Sequence, residues 1–358
     1  MANRLEFTVE SLADFTELRR RFKSFPMAPK IMPSRDLGVD ISSPGRQSLT
    51  LLVGEETSGA MYATEAHLMP GFGAPPHHQP TEEELWYIVD GELDVRVGTQ
   101  AATVRAGAFA YIPRNTTHTF KNNKTAPARL LAWDSPAGHE RAFEEMRRKA
   151  AQGIVEFPAL RTMFQNHGVL MHADPAEIAP NDHLIGTHPD MLPANVRTRE
   201  DFERYRKALG SLPMLPKLLP SREQALDLSW SGADVRLLLG SEQCAGQFNV
   251  VDILIEPGRE LPAHHHQLSE QCVYFLGGTL ELAVGDETQQ VGAGAFAFVP
   301  RNTRLRISNR SDATAHFLLW NTPGGQEPVY SLLHERQSWS ALTQADRQLL
   351  SACDFILD

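Results

Sequence analysis

The feature that most constrains this chain is that it repeats itself at long range. Gly107-Ala-Phe-Ala-Tyr-Ile-Pro-Arg-Asn-Thr116 returns as Gly294-Ala-Phe-Ala-Phe-Val-Pro-Arg-Asn-Thr303. Pro70-Gly-Phe-Gly-Ala-Pro-Pro-His77 returns as Pro257-Gly-Arg-Glu-Leu-Pro-Ala-His264, and Trp133-Asp-Ser-Pro-Ala-Gly138 as Trp320-Asn-Thr-Pro-Gly-Gly325. Leu52–Gly59 and Gly91–Gly98 have echoes at Leu238–Gly246 and Gly277–Gly285, each with one inserted residue. The offset stays at 186 or 187, as between His77 and His264. Solenoid repeats run at roughly 20–50 residues, so this period means a duplicated domain. The length of 358 residues suits two domains with sizeable cores.

Within each copy, short runs such as Leu85-Trp-Tyr-Ile-Val89, Leu93-Asp-Val-Arg-Val97 and Phe109-Ala-Tyr-Ile112 alternate with Gly, Pro and Asn. That is the pattern of short strands in a closed all-β sandwich or barrel. Helical periodicity is confined to about 139–151, to a stretch after Thr198 capped through Asp201, and to about 343–355. The expected division is an N-terminal helix and arm (1–40), a first barrel (41–140), a helical and Pro-rich connector (141–225), a second barrel (226–330) and a helical tail (331–358). The net charge of −10, with no run of Lys and Arg, argues against nucleic-acid and anionic-membrane partners. Three scattered cysteines without a CxxC pair argue against a disulfide framework or structural zinc. With no secretory h-region at the start and no apolar stretch of some 18 residues, the expectation is a cytoplasmic chain.

The two copies resemble the cupin superfamily, whose first motif is G-x5-H-x-H-x(3–4)-E-x6-G and whose second is G-x5-P-x-G-x2-H-x3-N. The first copy reads Gly71-x5-His77-x-Gln79-x4-Glu84-x6-Gly91, then Gly107-x5-Pro113-x-Asn115-x2-His118-x3-Asn122. The second reads Gly258-x5-His264-x-His266-x3-Glu270-x6-Gly277, then Gly294-x5-Pro300-x-Asn302-x2-Leu305-x3-Asn309. The resemblance implies two tandem double-stranded β-helix (jelly-roll) barrels whose motif residues ligate a divalent ion, Fe, Mn, Ni, Cu or Zn. Residues i and i+2 of a strand share a face, which lets both members of H-x-H enter a barrel.

Both copies depart from the four-ligand set. Gln79 replaces a His in the first, leaving His77, Glu84 and His118; Leu305 replaces a His in the second, leaving His264, His266 and Glu270. Two His and one carboxylate is the composition of a non-haem Fe(II) facial triad. The seven candidate ligands are therefore His77, Gln79, Glu84, His118, His264, His266 and Glu270, with no organic cofactor. His78 points outward by alternation, and Glu82 and Glu83 read as solvated. His172, His183 and His188 read as surface or turn histidines, Arg301, Arg304 and Arg306 as a solvated strand edge, and Cys272 as a buried thiol.

By size and layout the chain resembles the quercetin 2,3-dioxygenase-like bicupins. That implies oxidative cleavage of a phenolic or enolic small molecule by dioxygen, with Glu84 as general base. The alternatives are a non-oxidative cupin enzyme (isomerase, lyase or decarboxylase) and a small-molecule-binding bicupin without turnover. Cupin relatives also suggest a homo-oligomer.

Overall fold

The computed structural model describes residues 4–154, 156–172, 174, 177–185 and 196–358; His188 lies outside them. The chain divides into two compact units, residues 1–27, 36–187 and 215–221 in the first and residues 28–35, 188–214 and 222–358 in the second.

Each unit is an antiparallel jelly roll of one seven-stranded and one five-stranded sheet. In the first unit the larger sheet runs Lys217–Leu219, Phe109–Ile112, Glu83–Asp90, Ala128–Ser135, Tyr62–Leu68, Arg46–Leu52, Val39–Asp40. The smaller runs Leu170–Met171, Gly73–His78, His118–Lys121, Glu92–Val97, Gln100–Arg105. The second unit repeats both orders. Its larger sheet begins with Lys30–Met32 on Phe296–Val299, and its smaller sheet ends with Ile356–Leu357 on Glu260–His265. Two tandem cupin-type barrels are thus the architecture.

The offset of 187 extends past the motifs. The helix Leu12–Phe22 has a counterpart in Arg199–Leu209, and the strand Lys30–Met32 one in Lys217–Leu219. The expected helices stand at Glu140–Ala151, Arg199–Leu209 and Gln344–Ala352; Thr198 closes a capping box with Asp201. No helix among the described residues is long and apolar enough to cross a membrane.

Alternation sorts the strands into faces. In Glu92–Val97 the buried positions are Leu93, Val95 and Val97, which join Trp86, Ile88, Ala110 and Ile112 in the first core. The second core is larger and includes Leu305 and Phe355. Where the cupin motif has its second Gly, both copies have Asn in the left-handed region, Asn115 at φ 60° and Asn302 at φ 63°. Their backbone N–H groups donate to Gln79 O at 2.8 Å and His266 O at 2.6 Å, tying the two motif loops of each barrel together. The motif's last Asn is also structural: Asn122 Nδ2 donates to Leu68 O and Ala126 O, and Asn309 Nδ2 to Ile255 O and Ala313 O.

Candidate metal centre

In the first unit His77 and His118 are directly opposed on neighbouring strands of the small sheet, with ring centroids 4.1 Å apart. Glu84 enters from the large sheet across the interior. All three are buried, and one donor atom from each lies within 4.8 Å of the others, a group able to hold a metal ion.

The imidazoles are oriented by backbone. His77 Nδ1 donates to Pro75 O at 2.8 Å, and His118 Nδ1 to Thr116 O at 2.9 Å. A carbonyl only accepts, so the protons sit on Nδ1 and both Nε2 atoms present lone pairs to the interior. His118 Nε2 lies 3.0 Å from Glu84 Oε2, yet it is a buried nitrogen with no hydrogen-bond partner. Three electron donors facing one another this closely repel unless a proton on His118 or a metal ion lies among them. Two imidazoles and a carboxylate therefore fit a divalent ion.

Gln79 and Trp86 complete the surroundings of Glu84. Gln79 Nε2 donates to Oε2 at 3.1 Å, and Trp86 Nε1 donates to Oε1. Without a metal, burial pushes the Glu84 carboxyl up, but a proton on His118, whose own pKa Glu84 raises, outweighs it and holds the group well below the usual carboxylate range. His77 is held neutral, its pKa lowered by burial to about 3.

His77 and Glu84 open onto a cavity of about 230 Å³. Its wall is mostly apolar, with Phe72, Trp86, Phe120, Phe143, Phe157 and Phe164 among the lining residues. Arg46, Tyr62 and His139 add polar groups that the sequence did not single out. His139 Nδ1 donates to the buried Asp134 at 2.9 Å, leaving Nε2 without a partner.

Among the described residues the second unit assembles no such group. The strand Glu270–Gly277 pairs with Ala315–Thr322 so that Gln271 faces Asn321, just as Glu84 faces Asp134 in the first unit. Gln271, and not Glu270, thus occupies the position of Glu84. The motif spacing matches Glu270 to Glu84 only by shortening the preceding loop by one residue. A one-residue slip in a strand sends the side chain to the other face. There Glu270 is ion-paired with Arg301, as Glu83 is with Arg114. His264 Nε2 lies 3.2 Å from the Gln271 amide, and its ring stacks on Phe355 at 4.1 Å. His266 is buried with both ring nitrogens lacking hydrogen-bond partners, and burial lowers its pKa to about 3. Leu305 is fully buried in the apolar core at the place of His118.

Other expectations need correction. Glu82 and Glu83 are not solvated: both are 1% exposed and ion-paired, to Arg19 and Arg114. His172 is buried, not a surface residue, with Nε2 2.9 Å from His78 Nδ1; His78 does face away from the metal group. His183 is exposed in a turn, and Cys272 is a buried free thiol. Arg304 and Arg306 pair with Asp358 and Glu281.

Residues 64–134 and 251–321 each match the cupin domain family. Each of the two jelly-roll units thus contains a stretch that matches the cupin domain family. Among curated proteins, Protein SchB of Streptomyces halstedii is 26% identical over 98 residues, covering 27% of this chain and 71% of that protein. Polyketide synthase CurC of Streptomyces cyaneus is 33% identical over 107 residues, covering 30% of this chain and 66% of that protein. Among solved structures, oxalate decarboxylase from Bacillus subtilis at pH 4.6 superposes with a TM-score of 0.52 at 15% identity, covering 85% of this chain and 78% of that one. At that identity the likeness is one of fold.

Proposed function

We propose that the first barrel is a metal-dependent enzyme acting on a phenolic or enolic small molecule, with His77, Glu84 and His118 as ligands. The observation that carries this is the convergence of three donors, two of which, His77 and Glu84, line an apolar cavity. A divalent ion held there would supply Lewis acidity to a substrate oxygen. The chain's own residues do the rest. The aromatic walls bind the substrate body and exclude water. Gln79 and Trp86 fix the Glu84 carboxylate, which accepts the substrate's hydroxyl proton at Oε2 as general base.

Two reactions fit this site. One is oxidative cleavage with dioxygen, as the resemblance to quercetin 2,3-dioxygenase-like bicupins implies; the two-His, one-carboxylate set supports it. The other is non-oxidative, an isomerisation, cyclisation or elimination. Similarity to a protein named as a polyketide synthase supports that reading.

Turnover of phenols, β-diketones and flavonols by metal-loaded protein, with oxygen consumption followed in parallel, tests the proposal. Substrate loss matched by oxygen uptake supports cleavage. Loss without oxygen supports the non-oxidative reaction. Absence of turnover across the panel, with metal bound, contradicts enzymatic function. Each reaction should fall by at least about 100-fold in Glu84→Gln, the scale of a lost general base.

A further inference from the structure

Arg46 is a buried cation without an anion. It starts the strand Arg46–Leu52, is 8% exposed and lines the same cavity as His77 and Glu84. Its Nε donates to Ser48 Oγ at 2.6 Å, and its guanidinium lies over the Phe143 ring, 4.1 Å from the centroid. Among the described residues it forms no ion pair; Glu84 and Asp134 act on it only through space. Burial lowers its pKa to about 10, which leaves it charged at neutral pH. Its terminal N–H groups make no hydrogen bond to the described residues and are left to the cavity, where an anion could pair with them.

The duplication supplies an internal control. The position equivalent to Arg46 is Ala233, packed in the apolar core of the second unit. The barrel is therefore built without a cation at this place. Four ionisable positions in or beside the cavity change in the same way, Glu84 to Gln271, His118 to Leu305, Asp134 to Asn321 and Tyr62 to Asn249, while His77 is kept as His264. Arg46 is present where the metal-binding group is present and absent where it is lost.

We infer that Arg46 is a carboxylate-binding residue of the first barrel, so that the substrate is a carboxylic acid with an aromatic or enolic body. The planar guanidinium fork, seated over the Phe143 ring, matches a carboxylate through two parallel N–H···O bonds. The apolar wall takes the rings or chain between the carboxylate and the oxygen directed at His77, Glu84 and His118. This rests on reading the cavity as the substrate site.

The test compares para-hydroxybenzoate with its neutral counterpart para-hydroxybenzamide by calorimetric titration, in metal-loaded and metal-free protein. Wild type should bind the acid at least about 10-fold more tightly, the scale of a charge-assisted bidentate pair. Arg46→Gln should reduce that preference to within about twofold, and Arg46→Lys should keep part of it. Acid and amide binding equally to wild type overturns the inference, and so does a preference that survives in folded Arg46→Gln. If Arg46→Gln does not fold, the wild-type ratio and Arg46→Lys decide. The metal-free arm separates the two claims: a preference that persists there stands on Arg46 alone, even if the metal reading fails.

Discussion

Gln79 and His266 occupy the same place in the two repeats, each with its backbone carbonyl accepting from the αL Asn of the second motif. The first barrel has the ligands from both motifs but an amide at this position; the second has the imidazole but has lost Glu and His. The expected result of Gln79→His is therefore a fourth nitrogen donor in an otherwise complete site. Metal affinity, measured by competition with a chelator, should rise roughly tenfold or more, equivalent to about 1.4 kcal/mol. Unchanged or weaker affinity would mean that the amide serves only to hold Glu84. Residue types were legible where a motif fixed them, and His77, Glu84 and His118 are together as their spacing suggested. Arg46 and the Asp134–His139 pair were not, because a charged strand residue reads as an exposed position until the barrel is closed around it.

Elements carry the electrostatic cost of the fold as well as its geometry. The helix Glu327–Arg336 begins with a buried carboxylate that accepts from Ser241 N at 2.7 Å and Ser241 Oγ at 2.6 Å. Burial, with the Glu242 carboxylate adding to it, pushes Glu327 up to about 7. A carboxyl raised in the folded state favours folding when protonated, so its contribution is complete below its unfolded value and is lost as pH rises through 7. Glu327→Gln keeps an acceptor for Ser241 and removes the titration. Urea unfolding should show the variant gaining roughly 2–3 kcal/mol on wild type between pH 4.5 and pH 8. An equal difference at both pH values would contradict it. Elements also show where reading the sequence reached its limit. Strands and helices followed from alternation and capping, but the register of Glu270–Gly277 did not. Identity of the Glu letter favoured one loop length, and only the pairing of Gln271 with Asn321 reveals the other. The repeat of the helix Leu12–Phe22 at Arg199–Leu209 had a faint signal in Asp14-Phe15 and Asp201-Phe202, too short to stand without the strands that follow.

At the scale of the whole molecule, one chain builds the same barrel twice and gathers a His-Glu-His group in the first. The first interior keeps charge, lone pairs and a cavity. In the second, Leu305 and Phe355 fill the place of the metal group with apolar packing, and a stacked His264 is part of that packing. Burying this surface strengthens the second core, whereas a cavity weakens the first. We propose one metal site per chain, in the first barrel. Metal analysis of protein loaded with a divalent ion and desalted tests it most directly. The account predicts one ion per chain, near zero in His77→Ala, Glu84→Ala and His118→Ala, and an unchanged value in His264→Ala. Two ions per chain, or loss of metal in His264→Ala with retention in His77→Ala, would contradict it.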